Sequence, residues 1–271
     1  LKTNFWKYHG TGNDFILINN FDLKLNHSPE LALRLCDRHF GIGSDGLIII
    51  EPNKSTDFKM IFYNPDGSQS FCGNGSRCAI KFSKDQGIIK SNKTNFNSTD
   101  GIHLAEIAEE TIYLQMHPPI ILPVICSEKE LPIINKALIN TGSPHLVLFL
   151  DNKMNVIEVD VKYHGAKIRY NNTFKKTGIN VNFVGIDAEN NISIRTYERG
   201  VEDETLSCGT GVTAAAIAYH SLFSKNNGEQ TINVNAVGGE LQVKFDFKNN
   251  EYQNTQLCGP AQLVYSGTIE I

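Results

Sequence analysis

Phe71-Cys72-Gly73-Asn74-Gly75-Ser76-Arg77-Cys78-Ala79-Ile80 and Ser207-Cys208-Gly209-Thr210-Gly211-Val212-Thr213-Ala214-Ala215-Ala216 are two versions of one turn, 136 residues apart. Each puts Cys-Gly-x-Gly after a strand-like run and before a helix-forming one. A weaker echo lies upstream of each. Gly12-Asn13-Asp14-Phe15-Ile16-Leu17-Ile18 parallels Gly142-Ser143-Pro144-His145-Leu146-Val147-Leu148, at an offset of 130. A repeat this long implies two similar domains rather than a solenoid. His117-Pro118-Pro119 is the predicted linker. It divides an N-terminal domain over residues 1–117 from a C-terminal domain over 118–261, and a last strand near 262–271 is expected to pack back on the first domain.

Strand-like runs dominate both halves, as in Phe15 to Ile18, Leu47 to Ile50, Lys59 to Tyr63, Leu146 to Leu150, Ile179 to Val184 and Ile192 to Thr196. They are short and bounded by Gly, Asn, Pro and Asp. Helices are fewer. Ser28-Pro29-Glu30 supplies an N-cap, a proline at the first helical position and an acid in the first turn, so a helix is predicted over Leu31 to Phe40, closed by Gly41. Two more follow Cys72 and Cys208, and a fourth is expected near Val156 to Tyr170. The fold class is therefore α/β in the broad sense, of the α+β kind, from an internal duplication.

Composition limits the function. The chain has 271 residues, 41% apolar and 20% charged, with a formal net charge of -4. That supports a packed core and argues against a general nucleic-acid binder, which carries a basic surplus. No apolar run approaches the ~18 residues of a membrane helix, and the first residues lack the apolar region of a signal peptide. A cytoplasmic protein is expected. The six cysteines then read as thiols. No zinc-type spacing of Cys and His is present, so no metal is predicted.

A cysteine just before a helix sits beside outward-pointing backbone N–H groups and the positive end of the helix dipole. That environment favours thiolate, and the glycines let an anion approach the backbone. One such turn offers a base and a carboxylate cradle together. Two opposed turns across a cleft would offer thiols on both faces of one carbon, the arrangement needed to invert it. Cys36, Cys78, Cys126 and Cys258 instead read as small core residues. Gly41-Ile42-Gly43-Ser44-Asp45-Gly46 satisfies G-x-G-x-x-G, but it follows a helix and opens a strand, the reverse of a dinucleotide site. Asn64-Pro65-Asp66-Gly67 is a turn just before Cys72. Glu198-Arg199-Gly200 ends a strand before Cys208, where an arginine can clamp a second carboxylate.

Taken together, Lys7-Tyr8-His9-Gly10-Thr11-Gly12-Asn13-Asp14-Phe15, Asn64-Pro65-Asp66-Gly67-Ser68 with Cys72 to Cys78, Gly142-Ser143-Pro144-His145, and Glu198-Arg199-Gly200 with Cys208 to Gly211 resemble the diaminopimelate epimerases, in that family's order and across nearly the whole chain. The resemblance implies a cofactor-independent epimerase that interconverts LL- and meso-2,6-diaminopimelate in lysine and peptidoglycan-precursor synthesis. It also implies two similar domains, each a barrel-like β-sheet around a central helix, with the site between them. It assigns Cys72 and Cys208 as the acid/base thiols and Gly73, Asn74, Gly209 and Thr210 as the backbone cradle for the reacting carboxylate. Asn13, Asn64, Asn180, Glu198 and Arg199 match substrate-binding positions, Arg199 at the distal carboxylate. His145 and Glu198 match neighbours that orient substrate and tune the thiols. Many members have Gln where this chain has Gly46 and Asn where it has Ser143, so those two contacts are lost or shortened here. A homodimer is an open expectation.

Three other functions fit parts of this pattern. A proline or hydroxyproline racemase also uses two thiols on a duplicated fold, but Asn13, Asn64, Asn180 and Arg199 form a polar set suited to a second amino-acid head group. A thiol–disulfide exchanger would use Cys72 and Cys208 without exchanging an α-proton. A non-catalytic amino-acid binder would tolerate Cys→Ser at both positions.

Overall fold

A computed structural model describes residues 2–124 and 130–271; Cys126, read above as core, lies outside them. The chain forms two compact units, Leu1–Gln115 with Gly259–Ile271, and Met116–Cys258. The first contains β1 Lys2–Gly10, β2 Asn13–Asn19, α1 Pro29–Cys36, β3 Leu47–Glu51, β4 Phe58–Tyr63, α2 Gly73–Asp85, β5 Lys93–Ser98, β6 Gly101–Ala108 and β7 Thr111–Gln115. The second contains β8 Ile120–Leu122, β9 Ile133–Asn140, β10 Pro144–Leu150, α3 Val161–Arg169, β11 Asn180–Ile186, β12 Ile192–Glu198, β13 Asp203–Thr205, α4 Gly209–Tyr219, β14 Gly228–Ala236, β15 Gly239–Lys248 and β16 Glu251–Gly259. The last strand, β17 Gln262–Glu270, pairs antiparallel with β1 in the first unit.

Strand register carries the duplication further than the sequence echo does. In the first unit β1 and β2 are antiparallel, β2 and β3 parallel (Ile16 opposite Leu47), and β3 and β4 antiparallel (Leu47 opposite Tyr63). In the second, β9 and β10 are antiparallel, β10 and β11 parallel (Leu146 opposite Val181), and β11 and β12 antiparallel (Val181 opposite Tyr197). The ladders then continue alike, through a parallel step from β4 to β5 or β12 to β14 and two antiparallel steps to β7 or β16. Tyr63 and Tyr197 are thus equivalent, and so are the residues that follow them, Asn64 and Glu198. In each unit the long helix comes after these residues and packs on strands from both parts of its ladder: α2 on β1, β2, β3, β4, β7 and β17, and α4 on β9, β10, β11, β12, β14 and β15. These pairings establish a mixed α+β unit in which the sheet packs around one helix.

Local chemistry explains most elements. Leu47 to Ile50 are all fully buried, as expected of a strand covered on both faces. Residues of β6 alternate between buried and open positions, the period of a half-buried strand. Helix α4 is apolar on every side and buried from Val212 to Tyr219, which fits a helix enclosed by its sheet. The hairpin between β1 and β2 turns through Thr11 and Gly12, with φ of 54° and 82°, the left-handed pair that a two-residue hairpin with the twist of its strands requires.

Two predicted helices are shorter than the sequence suggests. Ser28 caps α1 as expected, accepting from the Leu31 N–H, but the helix ends at Cys36. The Asp37 carboxylate takes the N–H groups of His39 and Phe40 at 2.7 Å each, a local alternative to further helical bonds. Gly41 is therefore not the cap; a Cβ there would lie 2.2 Å from the Arg34 carbonyl oxygen, so it serves close backbone approach. The helix near Val156 to Tyr170 divides into a 3-10 turn, Val156–Glu158, and α3, which Asp160 caps by accepting from the Tyr163 N–H. Strands β1, β5, β13 and β16 have no clear apolar signal. Lys93–Ser98, for example, is paired by register with β4 and β6 although Phe96 is its one large apolar residue.

Candidate active site

Cys72 is the N-cap of α2 and Cys208 the N-cap of α4, both with extended backbone (φ -133° and -120°). The backbone N–H of Gly75 points at the Cys72 sulfur at 3.4 Å. The first helical bonds run from Ser76 N–H to the Cys72 carbonyl and from Val212 N–H to the Cys208 carbonyl, at 2.8 Å each. The two predicted turns therefore share one backbone geometry, although the sulfur takes a cap hydrogen bond at Cys72 and not at Cys208.

In the first unit a chain of side-chain amides leads to Cys72. Arg77 is fully buried in α2. It donates to the Thr11 hydroxyl at 3.1 Å, to the Asn74 amide oxygen at 3.0 Å, and to the Pro260 carbonyl at 3.3 Å. The Asn74 amide nitrogen donates to Asn13 Oδ1 at 3.3 Å, and the Asn13 amide nitrogen donates to Asp45 at 2.8 Å. A donor-only guanidinium at one end and a carboxylate at the other fix both amide orientations. Asn13 Oδ1 consequently faces the Cys72 sulfur, 3.9 Å away. Below it lies an ion cluster. Lys7 and Arg38 both bind Asp14, at 2.6 and 2.9 Å, and Arg38 also binds Asp45 at 2.7 Å. Burial opposes the Asp14 charge, but the hydrogen bonds from Arg38 and Lys7 hold its carboxyl down to about 2. Burial, followed by the charge of Asp14, pushes the Asp45 carboxyl up.

In the second unit the Cys208 sulfur lies 3.5 Å from the Thr210 hydroxyl. That hydroxyl is 2.9 Å from His145 Nε2 and 3.3 Å from the Ser143 hydroxyl, which is itself 2.9 Å from the same nitrogen. Asn180, the first residue of β11, donates to Ser143 at 3.2 Å and to the Pro144 carbonyl at 3.0 Å, and accepts the Arg199 backbone N–H at 2.8 Å. Glu198 accepts from the Thr205 hydroxyl at 2.7 Å. Arg199 is exposed, with a guanidinium N–H on the Thr177 carbonyl at 3.3 Å. His145 is fully buried; burial above all, and then the nearby Arg199 charge, lowers its pKa to about 3. It is a neutral imidazole.

The remaining candidates are placed as follows. Asn64 organises its own turn, its amide donating to the Ser68 carbonyl and to the hydroxyls of Ser68 and Ser70. Gly46 is buried, its N–H and C=O both engaged, with Ser44 Oγ and with the Ile16 N–H. A Cβ on Gly46 would lie 2.3 Å from Phe62 Cε2. Gly41 to Gly46 lie between α1 and β3, the order that excludes a dinucleotide turn. Cys36, Cys78 and Cys258 are buried, and burial raises the thiol pKa of Cys36 and of Cys78. Arg77 and Asn182 were not singled out from sequence. The available signals were a charged residue inside an otherwise buried helical face, and polar residues at every second position of the apolar run Ile179 to Phe183.

Two predictions arise here. Placing a side chain at Gly46 should not restore a substrate contact, because the Cβ direction is filled by Phe62. Gly46→Ala should destabilise by about 1–3 kcal/mol, the usual cost of overpacking, and Phe62→Leu should recover part of it, read from urea unfolding midpoints. His145 also gives an acid limb. Its folded pKa of about 3 lies below the ordinary 6.5, so the unfolded chain takes up the proton first. Stability is complete above pH 6.5 and falls progressively towards pH 3, by up to about 5 kcal/mol from this residue. The pH dependence of unfolding of His145→Gln should be flatter over that window.

A duplicated α+β fold with a cysteine N-cap on the central helix of each unit defines the class. The same fold is seen in a PhzF-family phenazine biosynthesis protein of Bacillus anthracis (TM-score 0.81, 14% identity, 100% of both chains covered) and in a probable proline racemase of Agrobacterium radiobacter (TM-score 0.74, 15% identity, 99% of this chain and 93% of that one). Within that class the chain belongs to the diaminopimelate epimerase family, whose model matches residues 5–121 and 137–264. It is 50% identical to the diaminopimelate epimerase of Flavobacterium psychrophilum, over 97% of this chain and 99% of that one, and 38% identical to that of Aquifex aeolicus, over 98% and 97%.

Proposed function

We propose that this protein interconverts LL- and meso-2,6-diaminopimelate without a cofactor, with Cys72 and Cys208 as the acid/base pair. The observation that carries the reading is the N-cap position of both cysteines in units of matching register, in a chain of this family. One sulfur, as thiolate, takes the α-proton. The other, as thiol, delivers its proton to the opposite face of the same carbon, so that the protonation states of the pair are exchanged after each turnover. Charge that builds on the substrate carboxylate meets the first N–H groups of the two helices, at Gly73 and Asn74 and at Gly209 and Thr210. Asn13, Asn64, Asn180 and Glu198 hold the amino-acid head groups, and Arg199 takes the distal carboxylate. His145 and Glu198 orient the substrate side of the second turn. Ser143 contributes its hydroxyl, and Gly46, with both backbone groups already engaged, serves only the close packing of its turn.

The same reading makes the protein a cytoplasmic biosynthetic enzyme acting on a small molecule. No helix among the described residues is long and apolar enough to cross a membrane, and a net charge of -4 does not favour nucleic acid. Leu263, Val264 and Tyr265 of β17 are each exposed, which is compatible with the homodimer that belongs to this reading. The deciding experiment is incorporation of solvent deuterium at Cα of diaminopimelate, followed by mass spectrometry and chiral separation. Exchange with appearance of the second stereoisomer is expected; exchange into proline instead, or none into either amino acid, would reject the reading.

A further inference from the structure

We propose that Asn182, on β11, is a positioning residue that sets the direction of the hydrogen bonds arriving at Cys208, by holding His145 in the tautomer with its proton on Nε2. The inference rests on reading Cys208 as a proton-transfer thiol and deepens it.

The orientation of the Asn182 amide is determined by its neighbours. Its nitrogen lies 3.1 Å from the Leu146 carbonyl, which can only accept, and its oxygen accepts the Thr196 hydroxyl at 3.0 Å. The same nitrogen faces His145 Nδ1 at 3.2 Å. A neutral imidazole whose Nδ1 accepts carries its proton on Nε2. Nε2 then donates into the triangle it forms with the Ser143 and Thr210 hydroxyls. Asn180, fixed in the same way between the Pro144 carbonyl and the Arg199 N–H, donates into that triangle as well. With donors arriving from both sides, the Thr210 hydroxyl proton is directed to the Cys208 sulfur, 3.5 Å away. In the opposite tautomer Nε2 would be an acceptor 2.9 Å from the same hydroxyl and would compete with the sulfur for its proton. A hydrogen bond donated to sulfur favours thiolate.

The motif itself makes room for this pair. A Cβ on Gly211 would lie 2.6 Å from Asn182 Oδ1 and 3.3 Å from His145 Cε1, so the second glycine of Cys-Gly-x-Gly lets α4 sit on the Asn182–His145 pair. At Cys72 the neighbouring group is instead the acceptor Asn13 Oδ1, at the end of the chain of amides that starts from Arg77. The two thiols therefore differ in their side-chain neighbours, an amide oxygen at Cys72 and a hydroxyl at Cys208.

Two measurements made without substrate test this. Long-range proton–nitrogen NMR of histidine-labelled protein, with the signal assigned through His145→Gln, should show His145 protonated on Nε2. Peptide mapping after limited iodoacetamide treatment gives the alkylation rate of Cys208 relative to Cys72 in the same molecules. Asn182→Ala and Thr210→Val should each lower that ratio by about tenfold, the scale of one hydrogen bond to a charged acceptor. The double variant should lower it no further, and Thr210→Ser, which keeps the hydroxyl, should restore it. A His145 proton on Nδ1 in the unaltered protein, or an unchanged ratio in a folded Asn182→Ala, overturns the proposal. Should Asn182→Ala fail to fold, the tautomer and the Thr210 pair still decide it. Because neither measurement uses diaminopimelate, a protein that passes both but exchanges no α-proton would retain this inference and lose the proposed activity.

Discussion

Cys72→Ala and Cys208→Ala should each abolish epimerisation, lowering kcat/KM by about a thousandfold or more, the scale of a lost general acid or base. The expectation rests on the proposed division of labour, in which each sulfur serves one face of the carbon and neither can replace the other. Each cysteine occupies the N-cap of its own helix, so removing one leaves the second turn intact and unable to finish the inversion. Cys→Ser at either position keeps a hydroxyl but a much weaker base, and should allow elimination from a halogenated substrate analogue more readily than inversion of the natural substrate. Stereoisomer composition against time is the measurement. Near-normal racemisation by either alanine variant would exclude a two-base mechanism.

Arg199→Ala should impair diaminopimelate turnover by roughly 30-fold to several thousandfold, the range for truncating a desolvated charged contact, and leave monocarboxylic amino acids no worse than before. Arg199 follows β12 and is exposed, tied to its unit by its backbone N–H on Asn180 and one guanidinium bond to Thr177. Gly178, at φ of 77°, lies against it; a Cβ there would come within 2.4 Å of Arg199 Cδ. A guanidinium held this way presents its planar fork, which a lysine cannot reproduce, so Arg199→Lys should recover little. Equal losses on both substrate classes would move Arg199 away from the distal carboxylate.

Much of the fold could be read from local pattern. Runs such as Leu47 to Ile50 and Leu146 to Leu150 are apolar without interruption because they are buried on both faces. Ser28-Pro29-Glu30 starts a helix for reasons contained in those residues. The end of that helix could not be read in the same way, since Asp37 competes for the N–H groups of His39 and Phe40. Polar strands such as Lys93–Ser98 and Glu251–Gly259 exist because their neighbours supply hydrogen bonds, and composition alone does not record a neighbour.

The candidate site divides along the same line. The repeated Cys-Gly-x-Gly, with its strand before and helix after, was sufficient by itself to establish a duplicated chain with a thiol at each helix start. Capping geometry depends on residues only a few positions apart, and such residues are adjacent in the sequence as in space. Tertiary structure alone decided the rest: that Gly46 faces Phe62, that Arg77 aligns Asn74 and Asn13 beneath Cys72, and that Asn182 orients His145 towards Thr210. Most of these contacts join residues on different strands and helices, and each hydrogen-bond direction depends on the next donor or acceptor in the folded chain.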